Sequence, residues 1–199
     1  MIRIAAMASH GGSILQGVLD TCHSGDLAAE VVLVISNNSD AQALQRARSA
    51  GIATVHLSSR THPDPEALDK AITDALQQAG ADWLLLAGYM KKLGPNTLNA
   101  YRNRILNTHP ALLPKFGGQG FYGRRVHEAV LAAGEHESGA TVHLVDETYD
   151  SGPILAQVRV PIRNNDTAAS LEERVKVAER KLLLATLTLL AEPKQAAGY

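Results

Sequence analysis

The chain has 199 residues, 45% apolar and 20% charged, which suits one compact core and excludes a disordered polymer or a string of small modules. Lys and Arg number 19 against 20 Asp and Glu, a formal charge of −1, so no overall basic field exists to capture nucleic acid or an anionic membrane. Cys22 is the single cysteine, which rules out an internal disulfide or a multi-cysteine metal site and points to a reducing, cytoplasmic setting.

The opening apolar run meets Ser9-His10-Gly11-Gly12 almost at once, too soon for a secretory leader or a membrane span of about 20 residues. Residues 2–8 read instead as a buried first strand. Further short apolar runs follow at 31–35, 54–57, 83–87 and 105–108, separated by segments with helix signals. This βαβ rhythm predicts a mainly parallel sheet buried on both faces. Ser13 is the expected cap of a helix over 14–23 and Asp40 of one over 41–50. Asp64 followed by Pro65 and Glu66 opens a third to about 79, and Gly51 and Gly80 stop two of these helices. After 108 the rhythm changes to a glycine-rich loop through Gly123, a helix at 124–133, and strands near 140–145 and 154–160. The short connection between those strands predicts an antiparallel pair, and hence a mixed sheet.

The last helix carries Leu171, Val175, Ala178, Leu182, Ala185 and Leu189, an apolar face at alternating spacings of four and three. Arg174, Lys176, Glu179 and Arg180 lie on its other side, and the tail from Pro193 is expected to fray. No repeat or linker justifies a cut, so 1–199 is one domain.

Three stretches bear chemistry. The turn Ser9-His10-Gly11-Gly12-Ser13 joins the first strand to the first helix, where free backbone N–H groups and the helix dipole favour an anion. It meets neither the dinucleotide nor the Walker spacing, so a tight turn remains the alternative. Asn107-Thr108-His109-Pro110 ends the fifth run, and strand carboxyl ends are where open α/β sheets hold ligands. Asn107 and His109 leave one strand face together, an amide able to donate to an oxyanion beside an imidazole able to exchange a proton. The alternative is a His that only ends the strand. The third stretch, residues 146–153, is an acidic loop whose carboxylate is either solvated or placed beside His109, raising its pKa and holding a proton-carrying water. No His-Glu-x-x-His, Cys pair or Gly-x-Ser-x-Gly elbow is present, which disfavours metal or serine hydrolysis.

Asn107-Thr108-His109-Pro110-Ala111-Leu112-Leu113-Pro114, joined with Gly139-Ala140-Thr141-Val142-His143 and Asp150-Ser151-Gly152-Pro153-Ile154, resembles the folate-dependent glycinamide ribonucleotide formyltransferase family. The resemblance covers nearly the whole chain. It implies an α/β, Rossmann-like mixed sheet with helices on both faces, and transfer of formyl from 10-formyltetrahydrofolate, as co-substrate and without metal, to the amine of glycinamide ribonucleotide. It gives Asn107, His109 and Asp150 the catalytic roles, with Asp150 raising the His109 pKa. Gly11, Gly12, Ser13 and Ile14 take the ribonucleotide phosphate, and Lys176 and Glu179, sharing a helix face, take its other contacts. Pro65, Met90, Lys91, Lys92, Leu93, Asn107, Thr141, His143 and Asp146 fall at folate-binding positions.

Ile14 stands where the family usually has Asn, leaving only its backbone N–H, and Pro65 where relatives often carry Arg. The 115–123 loop is longer than the commonest form, and His127 receives no role. The partners implied are small molecules, with monomer and homodimer both open. The rival readings are another amine acceptor, a hydrolase passing formyl to water, and a noncatalytic nucleotide-binding module.

Overall fold

The computed structural model describes residues 1–192, so the expectation for the tail from Pro193 lies outside the described residues. The strands are β1 (Ile2–Met7), β2 (Ala29–Ser36), β3 (Thr54–His56), β4 (Trp83–Leu86), β5 (Ile105–His109), β6 (Glu137–Leu144) and β7 (Ile154–Pro161). They form one sheet of 7 strands in the order β3-β2-β1-β4-β5-β6-β7. The first five run parallel, and β7 lies antiparallel to β6, as their short connection predicts; β6 is also antiparallel to β5, a reversal that the sequence, with a helical segment between those two strands, does not signal. Between them lie α1 (Ser13–Ser24), α2 (Gln42–Ser49), α3 (Pro65–Gln78), α4 (Pro95–Ala100), α5 (Arg124–Ala132) and α6 (Ala168–Ala191).

Alternation along the strands sorts side chains into cores on opposite faces of the sheet. Ile4 and Ala6 of β1, Leu85 of β4 and Leu106 of β5 pack with Leu15, Leu44 and Leu183 from α1, α2 and α6. Ala5, Met7, Leu84 and Ile105 point the other way, toward Ile72 and Leu76 of α3. A third cluster joins Ala140 and Val160 of β6 and β7 to Val126 and Val130 of α5 and Leu171 and Val175 of α6. Each fully buried Leu or Ile contributes about 1.5–3 kcal/mol, so the sheet is anchored from both sides.

The helix starts follow the sequence in one case of three. Asp64 caps α3, its carboxylate accepting from the Ala67 N–H at 2.9 Å, with Pro65 at the first helical position. Ser13 does not cap α1; Gly12, in the left-handed region at φ 67, holds the N-cap position and no side chain takes the first N–H groups. Asp40 does not cap α2, whose N-cap is Ala41; Asp40 is held in the preceding turn, its N–H donating to the Asn38 side chain. Sequence reasoning also passes over α4, because its cap comes from far along the chain. Asp69 of α3 accepts from the Asn96 N–H (2.7 Å), the Thr97 N–H (3.1 Å) and the Thr97 hydroxyl (2.6 Å).

The expected face of α6 holds only for its first half. Leu171 and Val175 are buried, but the buried set continues through Glu179, Leu183, Thr186 and Leu187, while Leu189 is 69% exposed. The helix begins over β6, β7 and α5 and ends in the core beside α1, so its buried stripe turns as its neighbours change. Glu179, expected on the solvated side, consequently lies inside.

Candidate active site

The site is assembled at the carboxyl end of β5. Asn107 pairs across the sheet with Leu86 of β4 and His143 of β6, and His109 with Thr141 of β6, so the amide and both imidazoles share one region. The loop after β6 brings Asp150 back over them. Its Oδ2 lies 3.4 Å from His109 Nδ1 and its Oδ1 3.5 Å from His143 Nε2. Asp150 sits at φ 54, left-handed backbone that Asp tolerates better than most residues, and Oδ2 accepts the Gly118 N–H at 2.9 Å.

Hydrogen-bond partners assign the ring nitrogens. His109 Nε2 donates to the Phe116 carbonyl at 2.7 Å, leaving Nδ1, facing Asp150, as the nitrogen free to exchange a proton. His143 Nδ1 donates to the Leu144 carbonyl at 2.9 Å, so in the neutral ring Nε2 accepts from Asn107 Nδ2 at 3.1 Å. That bond fixes the Asn107 amide and leaves its second N–H to donate elsewhere.

Burial pushes the His109 imidazole down; Asp150 and the Phe116 carbonyl push it up, and burial prevails, leaving it below its ordinary value. Asp150 thus acts in the expected direction without raising His109 overall, because the ring is only 4% exposed. Burial pushes the Asp150 carboxyl up, but the two neighbouring imidazoles and the Gly118 N–H together hold it below the usual range, so it stays a carboxylate.

A cleft enclosing about 70 Å³ opens beside these groups. One wall is Tyr89 and Lys91–Leu93, the other Val145–Asp150, with Asn107 and His143 at its base. Burial pushes the Tyr89 phenol up to about 12, so it remains a hydrogen-bond donor. Leu93 is buried, whereas Met90, Lys91 and Lys92 are exposed. Ser9, 1% exposed, ties this wall to the Gly11–Ile14 turn. Its hydroxyl donates to Asn37 Oδ1 at 2.6 Å and accepts the Met90 N–H at 2.8 Å. A wider concavity, about 1130 Å³, lies elsewhere, lined by residues of α1, β2 and α2, and touches none of the His109 cluster.

The remaining expected site residues divide. Gly12, Ser13 and Ile14 form the uncapped start of α1, and a Cβ on Gly12 would stand 2.8 Å from Ala43 Cβ as well as straining its φ. Asp146 lines the cleft mouth and shapes its loop, accepting from the Thr148 N–H and the Ser151 hydroxyl. Thr141 is fully buried and its hydroxyl is spent inside the protein, donating to the Ala111 carbonyl and accepting from the Leu113 N–H and Gln157. It therefore holds the 111–114 loop and has nothing left for a ligand. Pro65 begins α3 and is not part of the cleft lining.

Lys176 and Glu179 do not point at a common surface. Lys176 projects outward to Glu172 (2.9 Å) and Glu173 (3.4 Å), while Glu179 is 6% exposed beside Thr108, with its carboxyl pushed up by burial. Sequence reasoning passes over Ser9, Asn37, the Phe116 carbonyl and the Gly118 N–H, since backbone groups and linking hydroxyls leave no motif. Among the described residues, no group of three or more His, Cys, Asp or Glu side chains is placed to hold a metal ion, and no helix is long and apolar enough to cross a membrane.

A mixed sheet of this order gathers at the end of β5 an amide, two imidazoles and a carboxylate, groups able to donate to a developing charge and to exchange a proton, at the edge where open α/β sheets hold small molecules. The chain belongs to the formyl transferase family, whose model matches residues 2–187. It is 43% identical over 190 residues to the phosphoribosylglycinamide formyltransferase of Mycobacterium tuberculosis, covering 95% of this chain and 85% of that one. It is 39% identical over 193 residues to the chloroplastic phosphoribosylglycinamide formyltransferase of Arabidopsis thaliana, covering 96% of this chain. The chain spans 66% of the length of that plant protein and 62% of its Vigna unguiculata counterpart. The crystal structure of glycinamide ribonucleotide transformylase 1 from Symbiobacterium toebii superposes with a TM-score of 0.90 at 38% identity, covering 96% of this chain and 88% of that one.

Proposed function

We propose that the protein transfers the formyl group of 10-formyltetrahydrofolate to the primary amine of glycinamide ribonucleotide in purine biosynthesis. The observation that carries this reading is the convergence of Asn107, His109 and Asp150, from positions some forty residues apart, beside the cleft. The relatives' names supply the formyl group and its acceptor, and the motif resemblance supplies the folate donor. In this reading the ribonucleotide phosphate sits at the Gly12–Ile14 N–H groups and the folate lies against Met90–Leu93, in the cleft facing the acidic loop.

The acceptor amine needs no protein nucleophile. It attacks the formyl carbon, and the free N–H of Asn107 donates to the oxygen as negative charge develops there. One proton leaves the new ammonium and one reaches the folate nitrogen as its bond to the formyl carbon breaks. His109 carries that proton at Nδ1, entering the cycle as a neutral ring. The imidazolium it forms is met by the Asp150 carboxylate at 3.4 Å, so the site stabilises the charged ring only when a proton is in transit.

The test is release of tetrahydrofolate from the formyl donor with glycinamide ribonucleotide, with other amines, and with no acceptor. Release that depends on the ribonucleotide is expected. Equal release without an acceptor would assign the protein to formyl hydrolysis, and binding of the ribonucleotide without turnover would make it a noncatalytic module.

A further inference from the structure

Helix α2 lies across the back of the Gly11–Ile14 turn and shapes it through three contacts. The Ala43 N–H donates to the His10 carbonyl at 3.0 Å, and the Ala43 methyl is what forbids a side chain at Gly12. The third contact is a cation. Arg46 Nε donates to the Gly11 carbonyl at 2.8 Å and Nη1 to Gln16 Oε1 at 2.9 Å, and Gln16 is itself anchored on Asp20 at 2.8 Å. Arg124 and Arg174 are matched by Glu172 and Asp166. Arg46, by contrast, has no carboxylate at ion-pair distance among the described residues and is only partly exposed. A guanidinium bound to a carbonyl and an amide keeps its full charge, and here that charge lies beneath a helix start whose first N–H groups lack a side-chain cap.

We propose that Arg46 is a positioning residue for the phosphate of the acceptor, setting its affinity from behind the turn. This rests on the reading of Gly12–Ile14 as the phosphate seat. The bond to the Gly11 carbonyl polarises the Gly11–Gly12 peptide, and the Gly12 N–H of that same peptide becomes a stronger donor. The same bond holds the turn in shape, while the unneutralised charge adds to the field of the α1 N-terminus.

The test compares wild type with Arg46→Met and Arg46→Lys, using glycinamide ribonucleotide and the same acceptor without its phosphate. Arg46→Met is expected to raise KM for the ribonucleotide about tenfold, the size of one charged hydrogen bond. The KM for the phosphate-free acceptor, the KM for the formyl donor and kcat stay within about twofold, and Arg46→Lys recovers part of the loss. General damage to the fold raises both acceptor KM values together, and that result, or an unchanged ribonucleotide KM, overturns the proposal. Should Arg46→Met fail to fold, Gln16→Leu leaves the arginine in place but unbuttressed and is expected to give a rise of about threefold, again for the phosphorylated acceptor alone. Titration with inorganic phosphate separates this inference from the functional reading. If wild type transfers no formyl to the ribonucleotide, that reading fails, yet weaker phosphate binding by Arg46→Met still supports the seat, and equal binding sinks it.

Discussion

Asp150→Asn isolates charge from shape at the centre of the site. Asn is as tolerant as Asp of left-handed backbone, and its side-chain oxygen can still accept the Gly118 N–H, so loop and fold should survive. What disappears is the negative charge 3.4 Å from His109 Nδ1. At an effective dielectric of about 20, opposite unit charges at that separation attract by about 5 kcal/mol. The imidazolium charge is spread over two nitrogens and Asp150 retains 11% exposure, which reduces the useful part to about 3 kcal/mol, or two decades in rate. The expected result is a kcat lower by about 10²–10³, with KM for both substrates within about threefold. Because the upward push on His109 is gone, the limb of the pH–rate profile belonging to that ring moves to lower pH. Single-turnover formyl transfer across pH provides the assay. A folded variant that keeps kcat within about fivefold of wild type, or an unmoved limb, would refute the role given to the carboxylate.

Asn107→Ala removes the oxygen-facing donor and should lower kcat by about 10²–10³ with little change in folate affinity, read by single-turnover kinetics beside folate binding. Asp69→Ala strips α4 of its cap and leaves two N–H groups unmet, an expected cost of about 2 kcal/mol that appears as a Tm lower by about 4–8 °C. The same variant should raise KM for the formyl donor rather than the ribonucleotide, since α4 supports the 90–93 wall. Burial pushes His127 below its ordinary value, so the unfolded chain binds a proton there that the folded protein refuses, and stability is lost as pH falls through about 6.5. His127→Leu should therefore gain on wild type in denaturant midpoint between pH 7 and pH 5; a constant gap over that range contradicts the assignment.

The parallel strands were legible because each is a short apolar run buried on both faces, and the β6–β7 pairing because those strands are joined too closely for a crossover, whereas the reversal of β6 against β5 lies across a helical connection and was not. What the sequence hides depends on contacts made at a distance. Asp69 caps a helix about twenty-six positions away, so α4 carries no start signal of its own. A periodicity drawn along α6 assumes one partner throughout, whereas that helix changes neighbours midway, burying Glu179 and exposing Leu189. In the site, Asn107, His109 and Asp150 stand out as residue types suited to the chemistry. The elements that orient them are the Phe116 carbonyl, the Gly118 N–H and the tautomer of His143, and these are properties of the folded backbone. Thr141 shows the converse: a residue set inside a recognisable motif can serve the loop beside the chemistry rather than any ligand.

Ser9 gives the molecule a fixed gauge. Its one buried oxygen joins the segment leading into α1 to the segment leading out of β4, with Asn37 as the third leg of the joint. Neither segment can drift without dragging its companion, so on the proposed reading the span from phosphate seat to folate seat is built into the chain before either ligand arrives. A transfer of a single carbon to a small amine would be intolerant of slack, and the hydroxyl that holds the two segments together would take no part in the bond-making.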